Sequence, residues 1–414
     1  RKDNKKSLIE VFKQFNILCD ELNLFGKQVI AIDGSKFKAN NSRKKNYTKN
    51  KVKKMLEYYE GIAKKYIELL SENDKTDEEM TEYTKEEIKD KLKTAKQRIE
   101  ELTEMQEEIK KNGEISVTDP DARHMSVSNN GTDIAHNAQI AVDSKNHLVV
   151  AVDVVSTPAD QNQLYNMASK AVKELGLKEK DETGKDNKNN NTDDNIKDNI
   201  PDEEKAILTV LADKAYYNGE DLEKCKKDNI KTIVPKQKSS TRTGNEDYTK
   251  EKFTYDGDRD IYICPKGIEL QNISKPDSKD KLYKNTEACN KCEHKDKCTT
   301  SEGGRIIKRG PHQEIYDEVD KITSENERLI KQRQMIVEHI FGTVKRALGF
   351  TYFLTRGNEN VKSESFMHFF TYNLMRVINI MGVRKLTKIL KAKQQGFFDV
   401  FYANLKLSII LVNY

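Results

Sequence analysis

Asp213, Asp33 and Glu338 stand where an acid can do chemistry rather than merely solvate a surface. Asp213 closes the apolar run Ala206 to Asp213 (AILTVLAD). A carboxylate at the carboxyl end of a buried strand in an α/β sheet lies where ligands usually bind. Asp33 closes a shorter run, Val29 to Asp33 (VIAID), and the Gly34 that follows reads as a turn. Strands ending alike can set both carboxylates on one sheet edge, where they repel unless a cation lies between them. Glu338 belongs to RQMIVEHIFGTVKRALG, in which Ile336, Val337, Ile340, Phe341, Val344 and Leu348 form the apolar stripe of an amphipathic helix. At about 100° per residue Glu338 falls beside that stripe, with Lys345 almost directly above it at roughly 10 Å along the axis. Gly342, one turn away, leaves this face open to a close approach. Each acid has an ordinary alternative: a turn for Asp33, a helix cap or solvated loop for Asp213, and a solvated helix flank for Glu338.

A second group is built from cysteine. Cys264 precedes Pro265 and Gly267, and Cys289, Cys292 and Cys298 follow as a CxxC pair with a third thiol further on. Four thiolates with one close pair suit a tetrahedral structural zinc site, in which His294 is able to replace one of them. The competing reading is four reduced, unliganded thiols. A segment this polar needs a staple to fold, which favours the metal. Cys19 and Cys225 are isolated and read as packing residues.

The elements that must position these groups follow from patterning. Hydrophobic residues make up 36% of the chain, enough for a core of ordinary size in two or three domains, so the chain is not a disordered one. Basic and acidic residues number 73 and 68, so the net charge of +5 points only weakly to a polyanion. Their distribution says more: the lysines from Lys36 to Lys54 adjoin Asp33, and Lys331 to Arg346 surrounds Glu338, gathering positive charge where a DNA backbone would be drawn. No apolar stretch is long and uninterrupted enough to span a membrane, and no export signal opens the chain. The expected compartment is the cytoplasm, with reduced cysteines.

Val29 to Asp33 reads as a buried strand. Val52 to Ile109 reads as two helices with narrow apolar seams forming an antiparallel coiled-coil hairpin, joined by the acidic link Ser71 to Thr84. Ala135 to Val142 and His147 to Val155 form a strand hairpin, and Gln161 to Leu175 a helix for which Thr157 or Asp160 is the candidate cap. Asp181 to Asp202 is an Asn/Asp/Lys tract read as disordered. The strand ending at Asp213, a helix at Gly219 to Lys227 and a strand at Lys231 to Pro235 follow. Lys236 to Lys321 reads as polar and irregular, and helices over Ser324 to Leu348 and Ser363 to Leu390 close the pattern. Strands alternating with helices imply an α/β fold with a largely buried sheet.

Four blocks carry a resemblance: IAIDGSKFKANNSRKKNYT; HNAQIAVDSKNHLVVAVDV with ADQNQL after it; LADKAYYNGEDLEKC; and RQMIVEHIFGTVKRALGFTYFLTRG with YNLMR downstream. Together, in this order and spanning Val29 to Arg376, they resemble the blocks of bacterial insertion-sequence DDE transposases, in the branch with a cysteine-rich insertion. The resemblance implies that Asp33, Asp213 and Glu338 form a catalytic triad holding two divalent metal ions, magnesium or manganese, and that Arg333 and Lys345, with Arg346 and Lys36 nearby, bind DNA phosphates. It further implies double-stranded DNA partners, both element ends and target, a homo-oligomer assembled on that DNA, and a nucleoid-associated location. Ala215 and Ile340 stand where such transposases usually have Gly and Pro.

The fold implied is an RNase H-like mixed sheet flanked by helices and interrupted by the helical hairpin and the cysteine-rich insertion. The expected segments are 1–26, the tail of a missing N-terminal helical domain; 27–50, 113–235 and 324–392, the core, with a disordered insertion at 176–205; 51–112, the hairpin; 236–323, the cysteine-rich insertion; and 393–414, a C-terminal tail. Two other functional readings remain: a degenerate, non-catalytic DNA-binding descendant, and an RNase H-like nuclease that only hydrolyses.

Overall fold

The computed structural model describes residues 4–73, 84–127, 131–177, 206–237, 239 and 241–394. Helix α1 (Lys5–Glu21) leads to strand β1 (Val29–Lys38), which does not stop at Asp33 but continues through Gly34. Strand β2 (Asn46–Thr48) opens into helices α2 (Lys49–Asn73) and α3 (Lys85–Asn112), and β3 (Glu114–Ser116) returns antiparallel to β2. The two helices pack through Val52, Leu56, Leu102 and Ile109. Helix α3 begins on a capping box in which the Thr84 hydroxyl accepts the Glu87 N–H at 3.3 Å and the Glu87 carboxylate accepts the Thr84 N–H at 2.9 Å.

Strands β4 (Arg123–Val127), β5 (Gly131–Asp143) and β6 (Val149–Val155), helix α4 (Leu164–Glu174), strand β7 (Leu208–Leu211), helix α5 (Gly219–Lys227) and strand β8 (Ile230–Ile233) complete the main sheet. Its order is β4-β5-β1-β7-β8, with β6 pairing β5 beside β4. Strand β5 is antiparallel to β1, whereas β7 and β8 run parallel to β1 and to each other. This mixed α/β arrangement is consistent with the RNase H-like sheet that the resemblance implies.

Both faces of the sheet are covered, which is why its central strands are apolar at consecutive positions. Ile30 and Ile32 point into a core with Leu164, Met167, Ala168, Leu222 and Cys225. Ala31 and Phe37 point to the other side, against Ile336, Val337, Ile340, Phe341 and Phe369. The buried Asp143 carboxylate accepts the Gly26, Lys27 and Lys145 N–H groups at 2.9 to 3.0 Å, fastening the end of β5 to the approach of β1.

Residues read as irregular between Lys236 and Lys321 instead form a second antiparallel sheet. It consists of β9 (Thr254–Asp256), β10 (Ile261–Ile263), β11 (Glu269–Asn272), β12 (Lys281–Lys284) and β13 (Ile306–Arg309) in the order β13-β12-β11-β10-β9. Two short helices, α6 (Thr286–Asn290) and α7 (Lys295–Cys298), interrupt it. Its core is small: Phe253, Tyr262, Leu270, Tyr283 and Ile307. Helix α8 (Gln313–Glu325) begins earlier than expected. A break at Asn326 separates it from α9 (Glu327–Gly342), and Thr343–Ala347 widens into a π-helical turn. Helix α10 (Asn358–Met381) stops at Gly382, whose φ of +80° suits glycine. Most of the acidic link (74–83), the whole Asn/Asp/Lys tract (within 178–205) and most of the C-terminal tail (395–414) lie outside the described residues.

Ile30 is fully buried on the central strand. Ile30→Ala should lower the unfolding free energy in urea by about 2 to 5 kcal/mol, because the flanking strands prevent collapse around the cavity.

Candidate active site

The parallel register of β1 and β7 matches Ile30 with Val210 and Ala31 with Leu211. Asp33 lies two residues further along β1 and Asp213 two residues past the end of β7, near enough at the carboxyl edge of the sheet for the charge of Asp213 to act on Asp33. Asp33 is 20% exposed and its Oδ1 accepts the Gly34 N–H at 2.9 Å. Burial pushes its pKa up to about 6; the Arg333 guanidinium opposes that rise, while the charges of Asp213 and Asp160 add to it. Asp213 caps the turn Lys214–Tyr216, its Oδ1 accepting the Ala215 N–H at 2.8 Å.

Side chains at odd-numbered positions of β1 face α9, which supplies the cations. Arg333 is 11% exposed and its Nη1 lies 3.6 Å from Asp33 Oδ2. That nitrogen is buried and has no hydrogen-bond partner among the described residues. Lys345, in the π-helical turn, donates to Ser35 Oγ at 2.7 Å and to the Lys36 carbonyl at 2.8 Å, and its ammonium lies 4.5 Å from the centre of the Phe37 ring. Burial, reinforced by the charge of Lys36, pushes the Lys345 pKa down to about 8. Arg346 is exposed. Lys36 faces the opposite side of the sheet and is paired with Asp160 at 2.9 Å, so its charge is engaged inside the protein.

Glu338 is exposed on α9. Among the described residues no group of three or more His, Cys, Asp or Glu side chains stands close enough to hold a metal ion. The fold thus sets Asp33 near Asp213 without gathering Glu338 into a three-acid cluster, and it does not draw Cys264, Cys289, Cys292 and Cys298 into a ligand cluster either. Asp160, for which the sequence offers no role beyond a candidate helix cap and a place in the ADQNQL block, is a further acid, after Asp213, close enough to bear on Asp33. Its signal was its place in ADQNQL, a polar stretch following a buried strand.

The four cysteines line one small cavity of about 30 Å³ with Tyr248, Phe253 and Arg305. Cys264 follows β10 in a tight turn whose Lys266 and Ile268 N–H groups both point at its Sγ at 3.3 Å, and Gly267 supplies the required φ of +78°. Burial pushes the Cys298 thiol up; Arg305 opposes this, and Cys289, Cys264 and Cys292 reinforce it. Cys19 and Cys225 are fully buried and are pushed up to about 12, chiefly by burial, as unreactive packing residues would be.

Residues 263–378 match the family model described as a transposase DDE domain. The matched stretch takes in Cys264, Cys289, Cys292 and Cys298, Arg333, Glu338 and Lys345, and begins after Asp33 and Asp213. No curated protein and no solved structure matches the chain. No described helix is long and apolar enough to cross a membrane.

The electrostatics of Asp33 have a direct consequence. Its folded pKa, about 6, is above the ordinary 3.8 of a free aspartate, so its charged form is disfavoured in the fold. The stability associated with the neutral form is fully present below about 3.8 and is lost as pH rises through 6. Asp33→Asn in metal-free buffer should therefore raise stability at pH 8 by on the order of 2 to 3 kcal/mol, and the gain should vanish below pH 4. Urea unfolding across pH measures this, and a gain independent of pH would contradict it.

Proposed function

We propose that this chain is a transposase catalysing metal-dependent DNA strand cleavage and strand transfer at the ends of an insertion sequence, with Asp33, Asp213 and Glu338 as its acidic set. The β1–β7 register supports the reading, because it aligns the strand ends that lead to Asp33 and Asp213 at a half-buried sheet edge, with a guanidinium from α9 against Asp33. Neighbouring carboxylates there repel, and a cation relieves that repulsion. An all-oxygen donor set suits magnesium or manganese. Asp33 and Asp213, joined by Glu338 from its exposed position on α9, would hold two such ions, which supply electrostatic stabilisation of the attacking and leaving oxygens.

The chain's own groups supply the rest. Arg333 carries a buried N–H next to Asp33 that has no hydrogen-bond partner among the described residues, a donor available to a phosphate oxygen. Lys345 holds the backbone of β1 just beyond Asp33 and keeps positive charge at that edge. These contacts position a DNA strand without reading its bases, and exposed Arg346 adds to the attraction for its backbone. DNA ends and target would be engaged by more than one copy of the chain. The exposed position of Glu338, apart from the Asp pair, favours a second reading: a non-catalytic, DNA-binding descendant.

One assay separates the two. Incubated with element-end DNA and manganese, the chain should cleave the strand, and Asp213→Asn or Glu338→Gln should reduce cleavage to background while DNA binding persists. Binding without cleavage in the unmutated protein selects the non-catalytic reading, and undiminished cleavage by Asp213→Asn rejects the acidic set.

The cysteine module is read as a structural zinc site of Cys264, Cys289, Cys292 and Cys298. Its support is the Cys264 turn, whose two N–H groups face a sulfur that bears negative charge once it ligates metal, and the small core of the second sheet. Purified protein should contain about one zinc per chain by elemental analysis. Cys292→Ser should lose it and deprotect the amides of β10 to β12 in hydrogen exchange, leaving β1 and β5 protected.

A further inference from the structure

Behind the Asp33–Asp213 edge lies a buried polar network that the chemistry above leaves unused. Asp160, in the loop between β6 and α4, is 17% exposed. Its two oxygens accept Lys36 Nζ at 2.9 and 3.0 Å, and Oδ1 also accepts Asn137 Nδ2 at 2.8 Å and Gln139 Nε2 at 2.7 Å. Gln139 Oε1 accepts the hydroxyl of fully buried Tyr216 at 2.5 Å. Tyr216 ends the turn that Asp213 caps. The network therefore grips both acid-bearing segments: Lys36 just beyond Asp33 on β1, and Tyr216 just beyond Asp213.

Its fit is tight enough to dictate a neighbouring residue. A Cβ added at Gly34 would run into the Gln139 amide and lie 2.7 Å from Asp160 Oδ1. This accounts for a glycine within β1, where a side chain would otherwise strengthen the strand. Burying a carboxylate and an ammonium with two amides and a phenol costs desolvation that an apolar core of similar shape would avoid, so stability alone does not account for it. A fully satisfied buried network instead holds one arrangement rigidly. Here the parts held are the two segments whose spacing determines how Asp33 and Asp213 face each other.

We propose that Asp160 is a positioning residue for the Asp33–Asp213 pair, fixing their separation by anchoring Lys36 on one side and, through Gln139, Tyr216 on the other. This rests on the metal-dependent reading above, and it requires no contact between Asp160 and DNA or an ion. It also gives Lys36 a role inside the protein rather than on a phosphate.

The test uses the full chain and manganese as the probe. Asp160→Asn retains the shape and removes the charge, Asp160→Glu retains the charge, and Tyr216→Phe cuts only the tie to the Asp213 turn. Manganese binding is followed without DNA by electron paramagnetic resonance, and cleavage is followed against manganese concentration. Asp160→Asn should raise both midpoints roughly 10- to 100-fold, as removal of an outer support does. Tyr216→Phe should shift them less, in the same direction, and Asp160→Glu should recover part of the loss, all with wild-type unfolding temperatures. If Asp160→Asn fails to fold, the Tyr216→Phe midpoint decides. Wild-type protein that binds manganese and cleaves, with unshifted midpoints in the folded variants, overturns the positioning role and leaves the proposed function standing. Wild-type protein that neither binds manganese nor cleaves overturns both.

Discussion

The parallel pairing of β1 with β7 is the constraint on which the candidate site depends. Parallel strands must be buried on both faces, so Ile30, Ala31, Ile32, Val210 and Leu211 are apolar without alternation. Parallel register also aligns the carboxyl ends of the two strands, and both carry aspartate just beyond their paired residues. The fold thereby holds two like charges together at a place water reaches only in part. The cost appears in Asp33, whose carboxyl is pushed up to about 6 by burial and by its acidic neighbours despite Arg333. A site that is unfavourable alone gains most from a partner that neutralises it.

The two faces of β1 divide the work around that edge. On the α9 side, Arg333 and Lys345 bring cationic groups to Asp33 and Ser35 from a helix anchored by Ile336, Val337, Ile340 and Phe341. On the other side, Asp160, Gln139 and Tyr216 form a rigid polar backing. Gly34 lies between them because no side chain fits against that backing. The helical hairpin and the cysteine module each have a core separate from the main sheet, which lets both be carried without disturbing the acidic edge.

Several features were legible from local pattern because one interaction dominates them. The apolar runs ending in Asp33 and Asp213 mark strands buried on both faces, and the stripe from Ile336 to Val344 marks a helix packed on one side. Other features were not. Gly34 after an apolar run reads as a turn, yet β1 continues because β5 pairs with it as far as Lys38. The second sheet escaped notice because its strands are three or four residues long and mostly polar, and its core has only five buried residues, three of them aromatic. The helix expected over Ser324 to Leu348 is broken at Asn326 and widened after Gly342, where residue types alone give no strong break.

By itself the sequence determined which residues are able to carry the chemistry: the acids Asp33, Asp213 and Glu338, the cations around them and the four clustered thiols. Residue type limits what a side chain can bind, and burial pattern limits which element carries it. Tertiary structure alone decided their company. It paired Asp33 with Asp213 through a register between strands distant in the chain, left Glu338 exposed on α9, turned Lys36 away to Asp160, and put Arg333 against Asp33. Pairing register and the facing of side chains across a sheet are set by long-range packing, which leaves no mark in the residues on either side of each aspartate.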